Sequence, residues 1–197
     1  MIRTRTFLRV NRALLLCASS VSACSPAPAP APAASSASAP APISDDCTGE
    51  SAVDVVHHAI ELSLRLDPPL LSGRGDVQVR ARRETKVIAL DAQGLRISEI
   101  ATATGPLRFR HTGDRLCAEL PRPLPAGAAI AVHLVREVPA DHETLHVAAD
   151  QIWAGYTSSA WMPTRQDPGQ RATLSLRITA PAAWKVAAVG HASAPDL

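Results

Sequence analysis

Apolar and polar positions alternate with a period of two from Ile60 onward. Ile60, Leu62, Leu64 and Leu66 stand against Glu61, Ser63 and Arg65. A strand puts successive side chains on opposite faces, so residues 53–66 read as a half-buried strand. Asp67-Pro68-Pro69 breaks the run, and Ser72-Gly73 reads as the completion of the turn. Val77, Val79 and Ala81 then alternate with Asp76, Gln78 and Arg80, which predicts a hairpin partner over residues 75–83. Short strands are expected at 86–90, 95–100, 107–110 and 115–120, punctuated by Gly105-Pro106 and Thr112-Gly113-Asp114. Residues 121–127 carry three prolines and read as a loop, and alternation resumes over 128–138. Leu174, Leu176 and Ile178 alternate with Ser175, Arg177 and Thr179, so 172–179 is a further strand. Pro181 stops it, and 184–189 offers a last one. There is no long helical period and no repeat of roughly 20–50 residues. Many short alternating strands with regular turn signals predict an all-β fold, an antiparallel sandwich or curved sheet.

The first 44 residues do not share this pattern. Arg3, Arg5, Arg9 and Arg12 precede a short apolar run, Ala13-Leu14-Leu15-Leu16-Cys17-Ala18, and then small residues as far as Cys24. That is the layout of a secretory signal. The apolar run falls short of the roughly 20 residues that a membrane-spanning helix needs. Val21-Ser22-Ala23-Cys24 resembles the lipobox of bacterial lipoproteins. The resemblance implies a signal peptide over 1–23, cleavage before Cys24 and acylation of Cys24. An ordinary signal with an incidental cysteine is the plainer alternative. Ser25, where an Asp is absent, resembles outer-membrane sorting, which would leave the chain facing the periplasm or the cell surface. More than one acyl chain makes such anchoring stable, so the membrane is an expected partner. Residues 25–44 are almost only Ala, Pro and Ser. They favour extended geometry at roughly 3 Å per residue and form a semi-rigid spacer. The folded part is expected over 45–197, about 150 residues and one domain's worth.

The formal net charge is +2, and it includes the four signal arginines. What remains is near neutral or slightly acidic, which argues against nucleic acid as a partner because that needs a basic footprint. Of the four cysteines, Cys17 leaves with the signal and Cys24 is the expected acylation site. Cys47 and Cys117 remain in an oxidising compartment, either as one disulfide or as two separate thiols.

His142-Glu143-Thr144-Leu145-His146 matches H-E-x-x-H. On a helix, His142 and His146 would share a face and bind zinc, with Glu143 as general base. The context opposes this. Pro139 precedes the motif, and β-type residues follow it. A catalytic zinc wants a third protein ligand, yet no Glu follows Glu143, and Asp150 and Asp167 are the nearby carboxylates. We therefore read a chance match or a solvated His pair, with a zinc site as the alternative. His57 and His58 would face opposite sides of a strand. Ser158-Ser159 lacks the Gly-x-Ser-x-Gly context of a nucleophile.

Two stretches together resemble a known family. One runs from His58-Ala59-Ile60-Glu61-Leu62-Ser63-Leu64 through Ser72-Gly73-Arg74-Gly75-Asp76-Val77 to Val87-Ile88-Ala89-Leu90-Asp91. The other is Ala160-Trp161-Met162-Pro163, then Asp167-Pro168-Gly169-Gln170-Arg171-Ala172-Thr173, then Pro181-Ala182-Ala183-Trp184-Lys185-Val186 and Gly190. Both resemble the amino-terminal domain of the aminopeptidase N family of zinc metallopeptidases, over roughly residues 53–190. The resemblance implies a saddle-shaped, mostly antiparallel β domain without catalysis. It implies a catalytic peptidase domain as partner, and zinc in that domain rather than in this chain. The family's catalytic domain would begin near Gly190, whereas the chain runs only to Leu197. The expectation is a chain truncated before the catalytic domain, or a free-standing domain. Trp153, Tyr156 and Trp161 are candidates for the face meeting that partner, with core packing as their blander role. A small zinc peptidase using the HETLH motif and a lipid-anchored β-sandwich binding module are the alternatives.

Overall fold

The computed structural model describes Cys47 and residues 50–66, 69–139, 141–148, 151–155 and 157–191. The expected signal peptide, Cys24 and the linker lie outside the described residues. Eleven strands are present among those described: β1 Val53–Leu66, β2 Pro69–Ala81, β3 Thr85–Asp91, β4 Arg96–Thr102, β5 Gly105–Pro106, β6 Arg108–Thr112, β7 Arg115–Leu124, β8 Ala129–Val138, β9 Leu145–Ala148, β10 Gln151–Ala154 and β11 Thr173–Thr179. One sheet has the order β11-β1-β2-β8-β4-β5, a second β3-β7-β6, and β9 and β10 form a hairpin. Val55, Ile60, Val79, Val132 and Leu134 of the first sheet share one core with Ile88, Leu90, Leu116 and Leu120 of the second. The all-β fold expected from alternation is present, built as open sheets.

β1 carries a bulge. Its register against β2 shifts between Val55 and His57, which leaves Val56 without an opposite residue. One extra residue moves everything beyond it to the other face. Val53 and Val55 are therefore buried before the bulge, and His58, Ile60 and Leu62 after it.

Four details differ from the sequence-based expectations. Ser72 and Gly73 do not complete a turn. They stand in the ladder opposite Ser63 and Leu62, inside a strand that begins at Pro69. Gly73 is needed for close approach: a Cβ there would lie 2.9 Å from Leu62 Cδ2 and 3.1 Å from the Arg136 guanidinium. β7 continues through Pro121 and Pro123 to Leu124. Its pairing with β6 ends at Glu119, and its register against β3 shifts between Glu119 and Leu124, so the prolines fall where the ladders are already interrupted. β11 pairs with β1 in parallel, not antiparallel, with His57 opposite Thr173 and Ser63 opposite Thr179. Parallel neighbours need a long connection, and here more than a hundred positions separate the paired residues. Finally, residues 184–189 form no strand. Val186 and Val189 are 51% and 81% exposed, and no neighbour pairs with the segment.

Cys47 and Cys117 are joined as a disulfide, with Cα atoms 5.9 Å apart. The bond packs with Val87 and Ala89 in a small cluster separate from the main core.

Candidate functional site

The H-E-x-x-H stretch occupies a turn and the start of a strand. Residues 141–144 lie in the turn, and His146 is on β9. The His142 ring is committed on both sides. Nε2 lies 3.1 Å from the Gln93 carbonyl, and Nδ1 accepts from the Thr144 N–H at 3.2 Å. Gly94 leaves room for this ring, since a Cβ there would run into it. The Glu143 carboxylate accepts from Gln93 Nε2 at 2.9 Å. His146 stacks on its cross-strand partner Trp153, with centroids 3.9 Å apart and planes 18° apart. The three motif residues thus serve a turn, a loop contact and a ring stack. Among the described residues, no group of three or more His, Cys, Asp or Glu could hold a metal ion. Asp150 and Tyr156 lie outside the described residues.

Asp167 and its loop have a clear structural duty. Arg165 holds Asp54 Oδ1 through Nη1 and Asp167 Oδ2 through Nη2, each at 3.0 Å. Asp167 Oδ1 also accepts from the Gly169 N–H at 2.9 Å. Gln170 binds β1 twice, with Nε2 donating to Asp54 Oδ1 and Oε1 accepting from the Val55 N–H. Asp91, at the end of β3, holds Arg115 through Oδ1 at 2.7 Å and the Gln166 N–H through Oδ2 at 2.8 Å. The loop before β11 is therefore fastened to β1 and β3, and this fastening sets β11 on the outer edge of β1. An open cavity of about 910 Å³ lies here, lined by Asp91, Arg110, Arg115, Arg165, Gln166 and Asp167 beside the disulfide. Its aspartates are already bound within the protein, which suits architecture better than acid–base chemistry. Ser159 is buried, with its hydroxyl accepting from Gln166 Nε2 at 2.5 Å.

A second cluster lies inside the core. Arg136 is 2% exposed, and its Nε donates to the Trp161 carbonyl at 2.8 Å. His58 is 2% exposed, with Nε2 3.4 Å from Thr164 Oγ1. Arg136 Nη2 and His58 Nδ1 are buried without a hydrogen-bond partner. Burial first, then the Arg136 charge, then His57, hold the His58 imidazole down to about 4. Burial pushes Arg136 down to about 10. His57, by contrast, bonds Thr173 Oγ1 at 2.7 Å on the exposed side. Sequence reasoning passed over Arg136, although a signal existed. It occupies the inward row Ile130, Val132, Leu134, Arg136, Val138, where a charge stands among apolar residues. Trp161 packs half-buried against the core, while Trp153 is 47% exposed.

No protein-family model and no curated protein matches the chain. Solved structures do. An M1 zinc metallopeptidase from Deinococcus radiodurans matches with a TM-score of 0.59 and 26% identity, over 68% of this chain and 34% of that one. Leukotriene A4 hydrolase from Saccharomyces cerevisiae matches with a TM-score of 0.56 and 15% identity, over 66% and 23% of the two chains. Aminopeptidase A from Legionella pneumophila matches with a TM-score of 0.55 and 13% identity, over 66% and 16%. The last two likenesses concern the fold alone. The chain thus spans about a third of the Deinococcus chain, and its architecture matches the amino-terminal β domain of M1 aminopeptidases.

Proposed function

We propose that this chain is the non-catalytic amino-terminal part of an aminopeptidase-like zinc metallopeptidase, held at a membrane through an acylated Cys24. Its β domain works by packing against a zinc-bearing peptidase domain, and it needs no metal of its own. The observation that carries this reading is the Deinococcus match, which takes in two thirds of this chain but only a third of that metallopeptidase. A variant of that enzyme is described as bound to a Tyr-Ser-Ala substrate. Short peptides are accordingly the substrate class of the assembled system. The engagement of His142, Glu143 and His146 with Gln93, Thr144 and Trp153 supports a structural role for HETLH. An exported, lipid-anchored location follows from the signal and lipobox pattern at Val21-Ser22-Ala23-Cys24.

The test is metal content of the purified full chain beside His146→Ala, each assayed on aminoacyl anilides and tripeptides. Substoichiometric zinc and no hydrolysis are expected. One zinc per chain that is lost in the variant, together with hydrolysis, would overturn the reading. The anchor is checked by mass spectrometry of membrane-extracted protein. Acyl chains on Cys24, absent in Cys24→Ser, are expected, and an unmodified Cys24 would sink that part.

A further inference from the structure

We propose that Arg136 and His58 form an interior site for one small monatomic anion, a halide such as chloride. Both side chains project inward from one sheet, Arg136 from β8 and His58 from β1. Both reach the same stretch of chain, Arg136 at the Trp161 carbonyl and His58 at the Thr164 hydroxyl. Gly73 stands opposite Arg136 in the β2–β8 register, and its missing side chain gives the guanidinium its place.

What the cluster lacks is an acceptor. A guanidinium is donor-only, and Arg136 has a buried Nη2 with no partner. With the proton of His58 on Nδ1, the Thr164 hydroxyl donates to Nε2, and Nδ1 becomes a second unpartnered donor. Among the described residues, no carboxylate forms an ion pair with Arg136. Asp54 of β1 and Asp167 of the loop before β11 are bound to Arg165, and Asp91 of β3 is bound to Arg115 and the Gln166 N–H. Buried charges are ordinarily paired, because an uncompensated one is costly. A water could accept from Arg136 Nη2, yet it would leave the charge uncompensated. An anion both accepts and compensates. At 2% exposure for each side chain, a monatomic ion suits the site better than phosphate or a carboxylate-bearing metabolite.

Two measurements on the full chain decide the matter. Crystals grown in sodium bromide should show an anomalous bromine peak within hydrogen-bonding distance of Arg136 Nη2. In solution, the thermal midpoint should rise saturably with sodium chloride but not with sodium gluconate at matched ionic strength. The His58 imidazole should titrate nearer its ordinary value as chloride is added. Arg136→Gln should remove the saturable response. Should that variant not fold, the bromide peak and the wild-type chloride response still decide. Bromide at surface positions alone (an adventitious ion only), or equal responses to chloride and gluconate, would overturn the proposal.

Discussion

Asp91 and Thr164 exchange backbone hydrogen bonds, with the Asp91 N–H to the Thr164 carbonyl at 2.6 Å and the Thr164 N–H to the Asp91 carbonyl at 2.9 Å. This isolated bridge ties the end of β3 to the loop that delivers β11. The Asp91 side chain reinforces it by holding Arg115 and the Gln166 N–H.

Asp91→Ala should therefore weaken the loop's attachment. Two hydrogen bonds to a charged acceptor are lost, each worth roughly 1–2 kcal/mol after allowance for the partial exposure of the pair. Denaturant unfolding should show a loss of about 2 kcal/mol. A double-mutant cycle with Arg115→Met should show coupling between the two residues. Additive effects would mean that the pair does not act together.

Gly73→Ala and Gly75→Ala should both destabilise, and Gly75→Ala by more. At Gly73 the obstacles are the ends of the Leu62 and Arg136 side chains, which can shift, so the overpacking penalty is about 1–3 kcal/mol. At Gly75 the obstacle is the backbone of Ala59 and Ile60, and φ is +155°. Paired thermal midpoints check the order, and a reversed order would contradict the packing described.

Stability should fall as pH drops from about 6.5 to about 4 in chloride-free buffer. The His58 pKa is 6.5 unfolded and about 4 folded. Within that window the unfolded chain binds the proton and the folded chain does not, so acid favours unfolding. Above pH 6.5 this group contributes no slope. The full effect is about 3 kcal/mol. Urea unfolding across pH should show the slope in the wild type and its loss in His58→Gln.

Reducing the Cys47–Cys117 bond, or Cys47→Ser with Cys117→Ser, should destabilise by about 4 kcal/mol in the chain-entropy model. The bond closes a loop with a sequence separation of 70. Guanidinium midpoints with and without reductant measure this. No change would mean that the loop is already constrained by the packing of the two sheets on their shared core.

Much of the candidate region was legible in part. The Trp161-Met162-Pro163 and Asp167-Pro168-Gly169-Gln170 stretches stood out as a pattern, and they prove to be the fastening loop of β11. The chemistry of Arg136 was not legible in the same way. The row from Ile130 to Val138 carries a charge among apolar positions, but only its alignment with Gly73 shows that the guanidinium is enclosed. HETLH shows the opposite difficulty. Its spacing has a zinc-binding meaning only on a helix, and residues 145–148 pair with 151–154 in a hairpin instead.

The sequence by itself determined the all-β class, most strand positions and the likeness to a peptidase's amino-terminal domain. Alternation with a period of two is local, and each strand displays it without its neighbours. Tertiary structure alone decided that β11 enters parallel to β1, that the ladder slips at Val56, and that Cys47 meets Cys117. It also decided that a cation lies in the core beside His58. Each of these depends on which distant segments come into register, and that is settled by burial and backbone pairing summed over the whole domain.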